Sequence, residues 1–211
     1  MLNLYIVRHG ETEWNTEKKM QGWLDSPLTE NGKASALLLG EKLKDVKLDA
    51  IYSSTSGRAR ATAELIRGER QLPLYFDDLL REMRLGDWEG ETHSFIEENY
   101  VSEFHAYWHS PHLFQCRGSE TFSQTMGRAG EIIEKIKEKH PSGSILIVTH
   151  AVIIKCLYAI FRNLPVERIW EPPFIHNTSL TQVEMNDSGC RLLLEGEVLR
   201  PPEIPAAGIP L

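Results

Sequence analysis

Several short clusters in this 211-residue chain bring together residue types that handle anions. The first comes after the apolar run Leu-Asn-Leu-Tyr-Ile-Val at residues 2–7 and reads Arg8-His9-Gly10-Glu11-Thr12. A guanidinium presents a planar fork to phosphate oxygens, and a neutral imidazole carries a nucleophilic ring nitrogen. Arg8 beside His9 therefore suits attack on a phosphorylated group, and Gly10 lets the backbone turn tightly and approach a ligand. A second cluster, Arg58 and Arg60, opens a helix-forming stretch directly after the polar turn at residues 53–57. A cation in a first helical turn is locally unfavourable and calls for an anionic partner, which the free N–H groups there also attract. A third, His150-Ala151, comes after the apolar residues 145–148. Each has an ordinary reading as well: a loop tripeptide, solvated surface charges, a hydrogen-bonded structural histidine.

The elements behind these clusters explain why they belong together. Residues 2–7, 48–53 and 144–149 read as buried strands, each ending in a polar turn ahead of a helix. Strands of this kind deliver the residues after them to the crevice at the carboxyl edge of an α/β sheet. Thr29 is a fair N-cap for a helix to about residue 44, and Ser119 for a longer one to about residue 139. Residues 14–27 read as a long connecting loop. Residues 77–90, which include Glu82, mix charge, aromatic and glycine with no helical or strand period, as a site loop does. Helical spacing over residues 92–108 places Phe95, Ile96, Tyr100, Phe104 and Trp108 on broadly one side, a pattern expected of core. Residues 178–185 and 191–198 read as a hairpin at the sheet edge. The four prolines of residues 200–211 suit an extended tail.

Composition narrows the function classes. A formal charge of −7 and 41% hydrophobic residues describe an ordinary globular chain. They argue against broad binding to nucleic acid or an anionic membrane, so an anionic substrate must be drawn by a local group of arginines. No leader-like or spanning apolar segment is evident, which points to the cytoplasm. Cys116, Cys156 and Cys190 lack paired spacing and fit reduced thiols. Of His105, His109 and His112, the first two can share a helix face at i, i+4, but Pro111 should break the helix before His112 and no carboxylate or thiol sits at a supporting spacing, which argues against a metal site.

These motifs together resemble the histidine phosphatase superfamily, the group that contains cofactor-dependent phosphoglycerate mutase. The matching segments are Arg8-His9-Gly10-Glu11-Thr12 with Asn15, Gln21-Gly22 ahead of Ser26-Pro27-Leu28-Thr29, and Arg58-Ala59 with Thr62-Ala63. Glu82 ahead of Gly86 and Trp88-Glu89-Gly90, Val148-Thr149-His150-Ala151, and Asn177-Thr178-Ser179 complete them. The resemblance implies a three-layer α/β sandwich with a mainly parallel sheet and helices on both faces. It implies one domain over residues 1–199, with about 86–120 as a lid, and no metal or other cofactor. His9 would be phosphorylated by substrate, and Arg8, Arg58 and His150 would hold the phosphoryl group. Asn15, Gln21, Gly22 and Ala151 would line the site, and Glu82 would donate the proton. The expected partners are small phosphomonoesters.

The family divides between hydrolases and mutases. Phosphoglycerate mutases carry Glu-Arg-His-Tyr-Gly where this chain has Glu82-Met83-Arg84-Leu85-Gly86, with a longer insertion after it. The Gln21-Gly22-Trp23 loop and the aromatic residues 95–108 look more like the family's broad-specificity phosphatases. The resemblance thus favours a hydrolase over a 2,3-bisphosphoglycerate-dependent mutase. Narrow phosphatases acting on phosphoserine or α-ribazole phosphate are the nearer alternatives. A non-catalytic binding module is disfavoured because His9, Glu82, both arginines and His150 are all present.

Overall fold

The computed structural model describes residues 1–186 and 188–198; the Pro-rich tail expected at residues 200–211 lies outside the described residues. Six strands, Leu2–Arg8 (β1), Ala50–Ser54 (β2), Leu74–Asp77 (β3), Gly143–Thr149 (β4), Leu180–Asn186 (β5) and Gly189–Glu197 (β6), form one sheet in the order β3-β2-β4-β1-β5-β6. β1, β2, β3 and β4 run parallel, while β5 pairs antiparallel with both β1 and β6. The sheet is therefore mixed, with a parallel centre and an antiparallel edge.

Side chains of the central strands alternate between two apolar clusters. Leu4, Ile6, Ile145 and Ile147 face one side, and Val7, Leu146 and Val148 face the other. Both faces are covered, so these strands read as continuous apolar runs. Glu30–Lys42 (α2) and Gly57–Arg67 (α3) supply Ala36, Leu39, Ala59, Ala63 and Ile66 to one cluster. Phe122–Lys139 (α6) and Ala151–Phe161 (α7) supply Phe122, Ile132, Ile136, Ile153 and Leu157 to the other. No helix among the described residues is long and apolar enough to cross a membrane.

The observed elements differ from the sequence reading in places, each for a local reason. The loop after β1 contains one helical turn, Glu13–Thr16 (α1), closed by a capping box between Thr12 and Asn15. The expected helix at residues 92–108 is two, His93–Asn99 (α4) and Val101–His109 (α5). They break at Tyr100, whose backbone leaves the helical region (φ −130°, ψ 48°) as its ring packs at 6.3 Å against buried Trp88. Of that segment's aromatic face, Phe95 is exposed and Trp108 lines a cavity, so it is only partly core. Thr121, not Ser119, caps α6, again with a capping box to Gln124; the Ser119 hydroxyl turns back to the Cys116 carbonyl at 2.9 Å.

Gly10 also has a different reason from the one expected. A Cβ there would lie 2.8 Å from the Gly32 carbonyl oxygen, so the missing side chain admits the backbone of α2.

Candidate active site

The carboxyl ends of β1, β2 and β4 meet at one cavity of about 440 Å³. Arg8, His9, Asn15, Gln21, Gly22, Arg58, Glu82 and Ala151 all line it. His150 sits directly behind, fully buried, its ring centroid 5.1 Å from that of His9. A larger groove of about 780 Å³ between α2 and α3 touches Arg58 from the other side and contains neither histidine nor Glu82.

His9 is oriented for nucleophilic chemistry. Its Nδ1 lies 2.8 Å from the Gly10 carbonyl oxygen. That acceptor fixes the proton on Nδ1 and leaves the Nε2 lone pair free. Nε2 in turn accepts from Arg58 Nε at 3.3 Å. Burial, then the charges of Arg58 and Arg8, push the His9 pKa well below its usual value, so the ring is neutral. His150 is shifted down for the same reasons, burial first. Its Nε2 lies 2.9 Å from the Ser54 hydroxyl at the end of β2.

Arg58 is pinned on one edge and available on the other. Nη1 donates to the Leu24 carbonyl and to Asp25, Nη2 donates to the Gly22 carbonyl, and the Asp25 ion pair spans 2.9 Å. The bonds to the two histidines, Nε to His9 and Nη2 to His150, are the longer ones at 3.3 and 3.2 Å. Asp25 also accepts from the Arg58 backbone N–H, at 3.2 Å, and so completes the N-terminus of α3. The cation at that helix start thus has an internal partner. Arg60 takes the ordinary course, exposed and stacked 4.2 Å over Phe76.

Arg8 donates from Nη1 to the Ile175 carbonyl at 2.8 Å, and its buried Nε has no partner among the described residues. Burial lowers its pKa to about 10, which leaves it charged at neutral pH. Asn15 turns its carbonyl oxygen inward to Thr12 and Asn177. Gln21 donates to the Thr12 hydroxyl at 2.8 Å, while its buried Oε1 has no partner among the described residues.

Among the described residues, Glu82 is the one carboxylate lining this cavity. Burial raises its pKa above the usual 4.5, against the pull of the Met83 and Val152 N–H groups, Arg58 and Arg8. The Val152 bond, at 3.3 Å, places the carboxyl over the first turn of α7. Two distant side chains fix the Glu82 backbone by donating to its carbonyl: Trp23 Nε1 and Arg128 Nη2, each at 2.9 Å.

Sequence reasoning missed Asp25, Arg128 and Lys155, and named Trp23 only as part of the Gln21-Gly22-Trp23 loop. Asp25 carried the nearest signal, since the misplaced cation of α3 asked for an anion. The histidines considered for metal do not converge: His105 and His109 stack with centroids 4.8 Å apart, while His112 lies 3.8 Å from Glu167.

An oriented, neutral imidazole beside the guanidiniums of Arg8 and Arg58, with a carboxyl whose pKa is raised by burial, has the chemical make-up of a phosphoryl-transfer site on an α/β sheet. Comparison with known proteins agrees. The histidine phosphatase superfamily (branch 1) matches residues 4–197, and the chain belongs to that family. It is similar to Bacillus stearothermophilus YhfR, whose solved structure superposes with a TM-score of 0.91 at 45% identity over 94% of this chain and 98% of that one. It is 31% identical over 170 residues, 81% of each chain, to phosphoserine phosphatase 1 of Hydrogenobacter thermophilus. It is 30% identical over 190 residues, 89% of this chain and 87% of the other, to a Salmonella choleraesuis protein named "Probable phosphoglycerate mutase GpmB". The protein is thus an enzyme of the histidine phosphatase superfamily.

Proposed function

We propose that the protein hydrolyses small phosphomonoesters through a phosphohistidine on His9, with broad specificity and without a metal ion. The observation that carries this reading is the His9 tautomer: Nδ1 held by Gly10 and Nε2 facing the buried Arg58 in a cavity whose lining carboxyl is Glu82. The His9 Nε2 lone pair forms a bond to phosphorus as the ester P–O bond breaks. Glu82 gives its proton to the departing oxygen. Arg8 and Arg58, with His150 behind and the Ala151 N–H at the start of α7, hold the equatorial oxygens and stabilise their charge without reorganising. Asn15 and Gln21 contact them from the loop after β1. Water then attacks phosphorus, its proton passes to the Glu82 carboxylate, and the P–N bond breaks to release phosphate.

Residues 86–120 act as the lid, with Tyr107 and Trp108 reaching the cavity from α5. Aromatic and aliphatic surface from Met20, Leu85, Tyr107, Trp108, Trp170 and Phe174 supports an accommodating leaving-group side. The mutase reading is weaker: Met83, Arg84 and Leu85 stand where the mutase motif has Arg-His-Tyr, and Met83 is fully buried. A narrower preference, as the name of the phosphoserine phosphatase suggests, remains the second reading.

Phosphate release from p-nitrophenyl phosphate, 3-phosphoglycerate and phosphoserine in EDTA tests the proposal. Release from all three, strongest with the aryl ester, is expected. Activity confined to phosphoserine would replace broad specificity by a narrow one. Isomerisation of 3-phosphoglycerate primed by 2,3-bisphosphoglycerate, with no ester hydrolysed, would replace the hydrolase by a mutase.

A further inference from the structure

The wall of the cavity that includes Trp170, Pro172, Phe174 and Ile175 is an irregular loop, residues 170–175. With no helix or strand to satisfy its backbone, it relies on side-chain donors. Lys155 Nζ donates to the Glu171 carbonyl and, at 2.6 Å, to that of Pro173. Arg162 Nη1 donates to the Pro172 carbonyl at 2.9 Å, and Arg8 Nη1 to that of Ile175 at 2.8 Å. The loop is thus fastened by cations, and Trp170 Nε1 ties it to the Tyr107 carbonyl of α5 at 2.5 Å.

Lys155 is the unexpected member of this group. It is 4% exposed in a helix whose residues 152–159 are otherwise Val, Ile, Ile, Cys, Leu, Tyr and Ala. A buried ammonium is expensive unless its donors are satisfied, and its partners here are carbonyls of the leaving-group wall. It also lines the cavity, one helical turn after Ala151 and Val152.

We propose that Lys155 is a positioning residue for substrate selection, holding the 170–175 wall at the depth that seats a bulky leaving group while the phosphoryl end is held by other elements. This rests on the hydrolase reading above. The phosphoryl-binding groups come from β1, α3 and α7, and only Arg8 bonds to the loop. Loosening the wall therefore acts first on esters that touch it.

The groups facing the amine are Arg162, just past the end of its own helix, and Glu171 on the loop. Arg162 is paired with Glu195 of β6, and Glu171 with Arg168. Burial first, then Arg162, lowers the Lys155 pKa to about 8, with Glu171 opposing. The clamp therefore weakens as pH rises through that value, where a neutral amine replaces the ammonium.

The test compares kcat/KM for 1-naphthyl phosphate and glycerol 3-phosphate in wild type, Lys155→Met and Lys155→Gln, from pH 6.5 to 9. In Lys155→Met the naphthyl-to-glycerol ratio falls about tenfold, mainly through KM for the naphthyl ester. Lys155→Gln, which keeps an amide NH2 donor but no charge, falls between. Above pH 8 the wild-type ratio declines relative to the Lys155→Met ratio at the same pH, a comparison in which the Glu82 dependence common to both proteins cancels. A purely structural lysine would lower both esters alike; an unchanged ratio in a folded, active variant overturns the proposal. Wild-type protein inactive on both esters overturns the hydrolase reading, and this proposal with it.

Discussion

Removal from water shifts His9 and Glu82 in opposite directions, and in the proposed mechanism the two shifts serve opposite ends of one bond-breaking step. Burial lowers the histidine pKa and raises the carboxyl pKa, which favours a neutral nucleophile and an acid that holds its proton to higher pH. Because Glu82 must begin protonated, kcat/KM declines as pH rises through its raised pKa. The decline is steeper for alkyl phosphates than for p-nitrophenyl phosphate, whose leaving group needs little proton transfer. Glu82→Gln lowers kcat for the alkyl ester by about 10²- to 10⁴-fold and removes that limb of the profile; an unaltered profile would assign the proton to another group. Arg8, His9 and His150 were legible in the sequence because they come at the end of an apolar run that had to be a strand, and Arg58 because it opens a helix after a strand and a polar turn. The roles of Asp25, Trp23 and Lys155 were not. Their partners are 33, 59 and 16 or more positions away; Lys155 stands out as a charge in an apolar helix, but its partners do not show in the sequence.

At the scale of elements, the site is held by cations donating to backbone carbonyls. Arg128 of α6 pairs with Glu120 at 2.7 Å and donates to the carbonyls of Leu79, Arg81 and Glu82. It thereby fixes the irregular stretch that presents the acid. Removing one partner of a largely buried pair leaves the other charge uncompensated, so Arg128→Met destabilises the fold by about 3 kcal/mol in urea unfolding. It also lowers activity on alkyl more than on aryl esters, because Glu82 loses its seat. A change under about 1 kcal/mol would mean the pair is solvated. Helix periodicity located α6, which buries a continuous stripe, whereas α7 is buried on nearly every side and α2 buries only Gly32, Ala36 and Leu39. Periodicity misjudged residues 92–108, where Tyr100 turns toward Trp88 instead of along the helix axis.

For the whole molecule, the sheet order is the part least readable from the chain. β4 lies between β2 and β1, its last five residues buried, and it pairs with strands about a hundred or more positions away in the chain. The net charge of −7 coexists with a cavity lined by Arg8, Arg58, Lys19 and Lys155, so attraction of an anion is a local property. Burying two neutral histidines also sets the acid limit of stability. The folded pKa values of His9 and His150 lie below the ordinary 6.5. Their contribution is complete above that pH and is lost as pH falls toward the folded values. Thermal midpoints measured from pH 8 to 5 should drop below about pH 6.5, and His150→Asn should flatten the drop. An equal slope in the variant would place the acid sensitivity elsewhere.

The central claim is that the phosphoryl group passes through His9. Wild type and His9→Ala, mixed with p-nitrophenyl phosphate and quenched within the first turnover in alkali, can be compared by intact mass and by mapping of the modified peptide. The account predicts a phosphate adduct on His9 in wild type that is stable to base and lost in acid. His9→Ala should carry no adduct and have turnover reduced by about 10⁴-fold or more. Turnover by His9→Ala at a rate near wild type, or an adduct on another residue, would contradict it.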